Sequence, residues 1–187
     1  MIKLPQPSMA LNAADVPGAR YRMYNSWDVP ATEKPQHILD WAACVANGAG
    51  GLHVLVINCH GFYGTSSTGA SVGGFGLKLG TGITRLDTPR FAMLAPSVSN
   101  IWITACGTAR ISGVAGGDGH AFCSEIARAA NAFVVAATTH QIGDLWLPSG
   151  YIDEFEGLVV RYNPRGIIDW HQDYSRGIVD GLLNGWD

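Results

Sequence analysis

Leu52-His53-Val54-Leu55-Val56-Ile57 follows Gly50-Gly51 and runs into Asn58-Cys59-His60-Gly61. A short apolar run rich in β-branched residues and bounded by glycines reads as a strand buried on both faces, the kind found inside parallel sheets. Two more runs share this character: Asn100-Ile101-Trp102-Ile103-Thr104-Ala105, which ends at Cys106, and Ala132-Phe133-Val134-Val135-Ala136-Ala137. Helical patterns stand between and before them. Pro35 to Gly48 spaces Ile38, Leu39, Ala42 and Val45 on one face, with Pro35 suited to the first helical position and Gly48 to the C-terminal cap. Thr88-Pro89 opens a second helix to Ala95, and His120 to Asn131 makes a third with Phe122, Ile126 and Ala129 or Ala130 on its apolar face. Strands alternating with helices predict an α/β fold: an open, mostly parallel sheet with helices on both faces, joined by right-handed crossovers.

Outward from this centre the pattern is looser. Residues 61–76 are rich in Gly, Ser and Thr, as in a surface loop near a site, and Phe75–Leu79 is a candidate short strand. Gly157–Tyr162 and Gly166–Trp170 flank Asn163-Pro164-Arg165 as a hairpin, before a weak terminal helix around 177–183. Residues 1–34 carry prolines at 5, 7, 17 and 30 and one candidate strand, Arg20 to Trp27. They read as a lead-in segment laid over a single α/β domain that spans residues 35–187.

Composition narrows the function classes. The 187 residues are 47% hydrophobic and 14% charged, enough apolar surface for one packed domain without disulfides. Lys+Arg number 12 against 15 Asp+Glu, with neither sign in a block, so the counterion-release drive for nucleic acid is missing. Cys44, Cys59, Cys106 and Cys123 form no CxxC pair and read as free thiols. No apolar run reaches the length of a membrane span, and the first residues are unlike a signal peptide. The expectation is a soluble chain, cytoplasmic or exported without a cleaved signal, with no nucleic-acid or membrane partner.

In open α/β sheets ligands bind beyond the carboxyl ends of the strands. Here those ends are Cys59-His60-Gly61, Cys106-Gly107 and Thr138-Thr139-His140. A thiol becomes a nucleophile when an imidazole or positive field favours thiolate, and acyl transfer needs backbone N–H donors for the oxyanion. His60 can act as base and then acid, Cys106 can attack, and the N–H groups of Gly61 and Cys106 can face the developing oxyanion.

The pieces LHVLVINCHG (52–61) and NIWITACGTA (100–109), with a Gly-rich stretch, a helix and the strand AFVVAAT after the second, resemble the caspase-like cysteine peptidases of clan CD. The resemblance covers about residues 52 to 140 and is nearest to the bacterial CHAT-type branch. It implies a caspase-type sheet, no cofactor, and a His–Cys dyad that hydrolyses a peptide bond through a thioester acyl-enzyme. His60 and Cys106 match the dyad, and Gly61 matches the oxyanion glycine. The residue two before the cysteine, which helps set the P1 preference in many members, is Thr104. A neutral hydroxyl there favours a small or polar P1 side chain unless Asp118 or Asp144 reaches the pocket. Thr139, His140 and Asp144 fall where the family's substrate-binding loop would be. A peptide or protein is the implied substrate, and the oligomeric state stays open.

Other readings compete. A catalytically silent caspase-like module could bind peptides through the same pocket. Gly69-Ala70-Ser71-Val72-Gly73 fits G-x-S-x-G, but a nucleophile elbow needs a strand before the serine and a helix after it. Cys59 neighbours His60 in an extended segment, where adjacent side chains point apart. A zinc site from Cys59, His60, Cys106, His120 and His140, which would make the chain a metal-dependent hydrolase, has suitable ligand types but no orienting spacing. His37 and His171 read as solvated, and His53 as a buried residue among apolar neighbours. Trp102, Trp146 and Trp170 read as core or loop anchors.

Overall fold

A computed structural model describes residues 1–16, 18–62, 64–65, 71–72, 74–112, 117–143 and 146–174. Seven strands form its central sheet: β1 (Ser8–Ala13), β2 (Asn25–Val29), β3 (Leu52–Asn58), β4 (Val98–Ile103), β5 (Phe133–Ala137), β6 (Gly157–Tyr162) and β7 (Ile168–Tyr174). Their order across the sheet is β7-β6-β5-β4-β3-β1-β2. The four pairings from β5 to β2 are parallel, and β6 runs antiparallel to both of its neighbours. The α/β class and the open, mostly parallel sheet are as the apolar runs predict, and β6 and β7 form the expected hairpin.

The N-terminal segment corrects the sequence reading. Residues 8–13 and 25–29 are two strands of the sheet itself, with Leu11 paired to Ile57 on one side and to Trp27 on the other. β1 is buried from end to end, so it is a core element and not a lead-in to a domain that starts at residue 35. The candidate strand at Arg20–Trp27 forms only from Asn25, because Arg20 to Met23 crosses the sheet end as a loop.

Side-chain alternation divides the core into two layers. Leu11, Leu55, Ile57, Ile101, Ile103, Val134 and Ala136 point to one face, where α1 (Pro35–Gly48), a 3-10 helix (Arg85–Leu94) and α2 (Gly119–Ala130) cover them. Ala10, Val54, Val56, Trp102, Val135 and Val159 point to the other, which is covered by a short antiparallel pair, Ile2–Lys3 with Tyr151–Ile152, and by irregular segments carrying Leu4, Tyr21, Leu147 and Phe155. Helices on both faces were expected; among the described residues all three lie on one. The expected terminal helix at 177–183 lies outside the described residues.

Local signals explain the helix ends. α1 starts at Pro35 but runs through Gly48, and the turn out of it uses Gly50 and Gly51, whose φ values are 72° and 118°. Val45 is half-buried and Ala46 takes the core position. The second helix begins before Thr88: Thr84 is its N-cap, in a capping box with Asp87. It remains a 3-10 helix with Pro89 inside, where the ring supplies no N–H for an α-helical ladder. Asp118 caps α2 by accepting the Ala121 N–H at 2.8 Å, and Asn131 closes it in a left-handed conformation.

Candidate active site

The site forms where the chain leaves β1 toward β2 and leaves β3 toward β4, in opposite directions across the sheet. Such a switch point opens a crevice beyond the carboxyl ends of the two strands. Asn12 on β1 and Asn58 on β3 stand opposite each other there. Both are buried, and both bond through the amide nitrogen and the amide oxygen. Asn58 Nδ2 donates to Asn12 Oδ1 (2.9 Å) and to the Ala19 carbonyl (3.0 Å). Asn12 Nδ2 donates to the Tyr21 carbonyl (3.1 Å), and its Oδ1 accepts the Tyr21 N–H (2.9 Å). Thr104, one residue past β4, extends the ladder by donating to the Asn58 Oδ1 and the Ile57 carbonyl, both at 3.4 Å. These bonds hold the 18–21 loop over the strand ends, and a cavity of about 60 Å³ lies beneath it.

His60, Cys106 and Thr104 line that cavity together, as do Tyr21, Gln141, Asp153 and Glu154. His60-Gly61 forms a short antiparallel pair with Leu77-Lys78, the base of an arm whose Gly64–Thr65 pairs with Ser71–Val72. That pairing presses the Gly61 backbone onto Cys106. A Cβ added at Gly61 would stand 2.0 Å from the Cys106 carbonyl oxygen, so the position has no room for a side chain. The His60 Nε2 lies 3.2 Å from the Asp15 carbonyl oxygen. A carbonyl only accepts, so this contact assigns the proton to Nε2 and leaves the Nδ1 lone pair available as a base.

Cys106 is half-buried at the tip beyond β4. The Gln141 N–H donates to its sulfur at 3.3 Å, and the thiol faces the Gln141 carbonyl at 3.7 Å. Both contacts come from the backbone of the same residue, so the Gln141 loop fixes the position of the sulfur. The Cys106 turn is fixed on both sides. Gly107, with φ 60°, donates to the Thr139 carbonyl at 2.8 Å, and the buried Thr108 hydroxyl donates to the Ala105 carbonyl at 3.1 Å. The Gln141 side chain bonds the carbonyls of His140 and Glu156 (3.0 Å each) and accepts the Glu156 N–H (3.0 Å), which anchors the loop above the sulfur.

Cys59 borders the same cavity but is only 4% exposed. It is buried in the helical layer, and burial, with Asp15 and Cys106 nearby, pushes its thiol well above the ordinary range. Burial does the same to Cys123. Of the expected substrate-binding residues, Thr104 lines the cavity, while Thr139 and His140 do not. The Thr139 hydroxyl is committed to the Glu156 carbonyl at 2.7 Å, and His140 is exposed. Asp144 lies outside the described residues, and Asp118 is spent as the α2 cap. Ser71 sits on a two-residue strand, and residues 69, 70 and 73 of its motif lie outside the described residues. His53 is exposed, not buried as expected, because its neighbours face the two layers and it sits at the strand start. Trp102 is a core anchor, whereas Trp146 is exposed. Among the described residues no three His, Cys, Asp or Glu side chains converge to hold a metal ion, and no helix is long and apolar enough to cross a membrane.

The sequence reading missed Asn12, Asn58, Gln141, Asp153 and Glu154. An asparagine ending each of the apolar runs SMALN and HVLVIN was the available signal for the first two. The remaining three sit on loops, where no periodicity marks them. Neither a scan against protein-family models nor a search of curated proteins finds a match for this chain.

Proposed function

We propose that the chain is a cysteine peptidase of caspase-like type, with Cys106 as nucleophile and His60 as general base and then acid. The observation that carries this reading is the shared cavity: an imidazole and a half-buried thiol line it, and the Gly61 backbone lies against Cys106. His60 Nδ1 accepts the thiol proton, the thiolate attacks the scissile carbonyl, and the imidazolium returns the proton to the leaving amine. The resulting thioester is hydrolysed by water activated at the same nitrogen. The N–H groups of Gly61 and Cys106 serve the oxyanion. Asp15 fixes the ring through its backbone carbonyl, the role that the third member plays in a triad.

The test is a peptide-library cleavage screen with wild type and Cys106→Ala in parallel, joined to iodoacetamide labelling read by peptide mass. The reading expects cleavage by wild type alone, and native labelling at Cys106 and the exposed Cys44 but not at Cys59 or Cys123. Equal cleavage by Cys106→Ala refutes the nucleophile. Peptide binding without cleavage in both proteins transfers the site to a silent binding module.

A further inference from the structure

We propose that Glu156 is a positioning residue for Cys106: its carboxylate holds the Gln141–Ile142 peptide plane against the sulfur. This deepens the peptidase reading and rests on it, since it takes Cys106 as the nucleophile. The observation is a chain of contacts through one plane. The Cys106 thiol faces the Gln141 carbonyl at 3.7 Å, and the Ile142 N–H, at the other end of the same plane, donates to Glu156 Oε2 at 2.9 Å. In a trans peptide the C=O and N–H point in opposite directions, so this plane lies between the sulfur and the carboxylate. The plane is rigid, and a turn at one end is a turn at the other.

The neighbouring bonds hold other groups. The Gln141 N–H that donates to the sulfur belongs to the preceding plane, whose carbonyl, that of His140, accepts the Gln141 side-chain amide at 3.0 Å. The Glu156 backbone binds the Thr139 hydroxyl (2.7 Å) and the Gln141 side chain (3.0 Å in both directions). Among the described residues, the Glu156 carboxylate is the partner of the Ile142 N–H. Glu156 is itself well placed to hold it. The Thr138 N–H donates to the Leu158 carbonyl at 2.9 Å, and Gly157 has φ 68° with room for no side chain, because an added Cβ would stand 2.2 Å from the Thr139 hydroxyl oxygen. The chain entering β6 is thus pressed against the chain leaving β5. Gln141, Ile142 and Gly143 also line the cavity, so losing the carboxylate's bond shifts the sulfur's contact and the cavity wall together.

The experiment compares wild type, Glu156→Ala and Glu156→Gln. Each is treated with iodoacetamide and, separately, with acyloxymethyl ketone peptides carrying alanine, leucine, lysine or aspartate at P1. The rate of adduct formation on Cys106 is read by mass, with Cys106→Ala as background. Iodoacetamide needs only the thiol, whereas the ketone needs the sulfur aligned with a group held in the cavity. Glu156→Ala should slow the ketone reaction by about 10²-fold, the cost of a displacement near 1 Å at a reacting centre, and the iodoacetamide reaction by less than about threefold. Glu156→Gln keeps an oxygen that accepts the Ile142 N–H, and it should restore the ketone rate to within about threefold of wild type. Three results overturn the proposal and leave Cys106 as the nucleophile: a wild-type ketone rate in Glu156→Ala, an equal slowing of both reagents, or a Glu156→Gln as slow as Glu156→Ala. A wild-type Cys106 that iodoacetamide labels and none of the ketones does removes the peptidase reading, and this proposal with it.

Discussion

Replacing Gly61 by alanine tests the contact on which the site depends. The added Cβ would stand 2.0 Å from the Cys106 carbonyl oxygen and 3.0 Å from its carbonyl carbon. Ordinary contact begins near 3.4 Å, so the two backbones must part by about 1.4 Å. Neither is loose: Gly61 is paired to Leu77, and the Cys106 turn is bonded through Gly107 and Thr108. Overpacking of this kind costs about 1–3 kcal/mol. At about 2–4 °C per kcal/mol for a domain of this size, Tm should fall by about 2–12 °C. A displacement of about 1 Å at a reacting centre costs about 10²-fold in rate, and a shift of this size falls on the Cys106 backbone directly.

The assay is thermal unfolding together with the rate of Cys106 labelling by a peptide ketone, with Gly48→Ala as control. Gly48 has nothing within 4 Å of an added Cβ, so its variant should be neutral or more stable by up to about 1 kcal/mol. Gly61→Ala with wild-type Tm and wild-type labelling would refute the close approach and, with it, the shared oxyanion site.

Asn58→Leu should destabilise by about 1–3 kcal/mol in urea unfolding, since it leaves the buried Ala19 carbonyl without its Asn58 donor and takes one of two donors from Asn12 Oδ1; unchanged stability would show that the ladder is idle. Gln141→Ala keeps the backbone N–H on the Cys106 sulfur but removes the side-chain bonds to Glu156, leaving those of the Thr139 hydroxyl and the Ile142 N–H, so amide exchange at residue 156 and at residues 140–142 should accelerate while that in β5 stays slow. The Arg85 guanidinium bonding Glu125, with the Thr88 hydroxyl, holds that carboxyl below the ordinary range. A depressed folded-state value gives stability that is complete above the ordinary carboxylate range and lost as pH falls through the lowered value. Glu125→Gln should thus cost about 0.5 kcal/mol at pH 7, and the Tm gap to wild type should close in acid. A gap that does not change with pH would assign the loss to packing.

The sheet's centre was legible because β3, β4 and β5 are buried on both faces and so appear as unbroken apolar runs. β1 was not, although it is equally buried: SMALNA mixes Ser8 and Asn12 into a short run, and the prolines around it look like a wandering lead-in. Its polar residues are there because they bond loops at the strand ends, which is a tertiary demand and carries no period. β2 was hidden for a related reason. As an edge strand it alternates half-buried with exposed positions, and its inward residues pack against α1. His60, Gly61, Cys106 and Thr104 could be found because strand ends are predictable places. Gln141, Asp153 and Glu154 could not, because loops reach a site by paths that only the folded chain defines.

The two hidden strands are what make the crevice. A sheet starting at β3 would leave His60 on an edge, with open solvent on the side away from Cys106. Adding β1 places Asn12 beside Asn58 and brings the Asp15 carbonyl to His60 Nε2. Adding β2 turns the chain back across the strand ends, so that Ala19 and Tyr21 roof the cavity. The tautomer of His60 and the roof over the cavity that Cys106 lines therefore both depend on residues 8–29. A deletion of residues 1–24 should accordingly abolish selective labelling of Cys106 even though every residue from His60 to Gln141 is retained. Wild-type labelling kinetics in that truncation would show that the dyad needs only the segment from β3 to β5, and that the roof is dispensable.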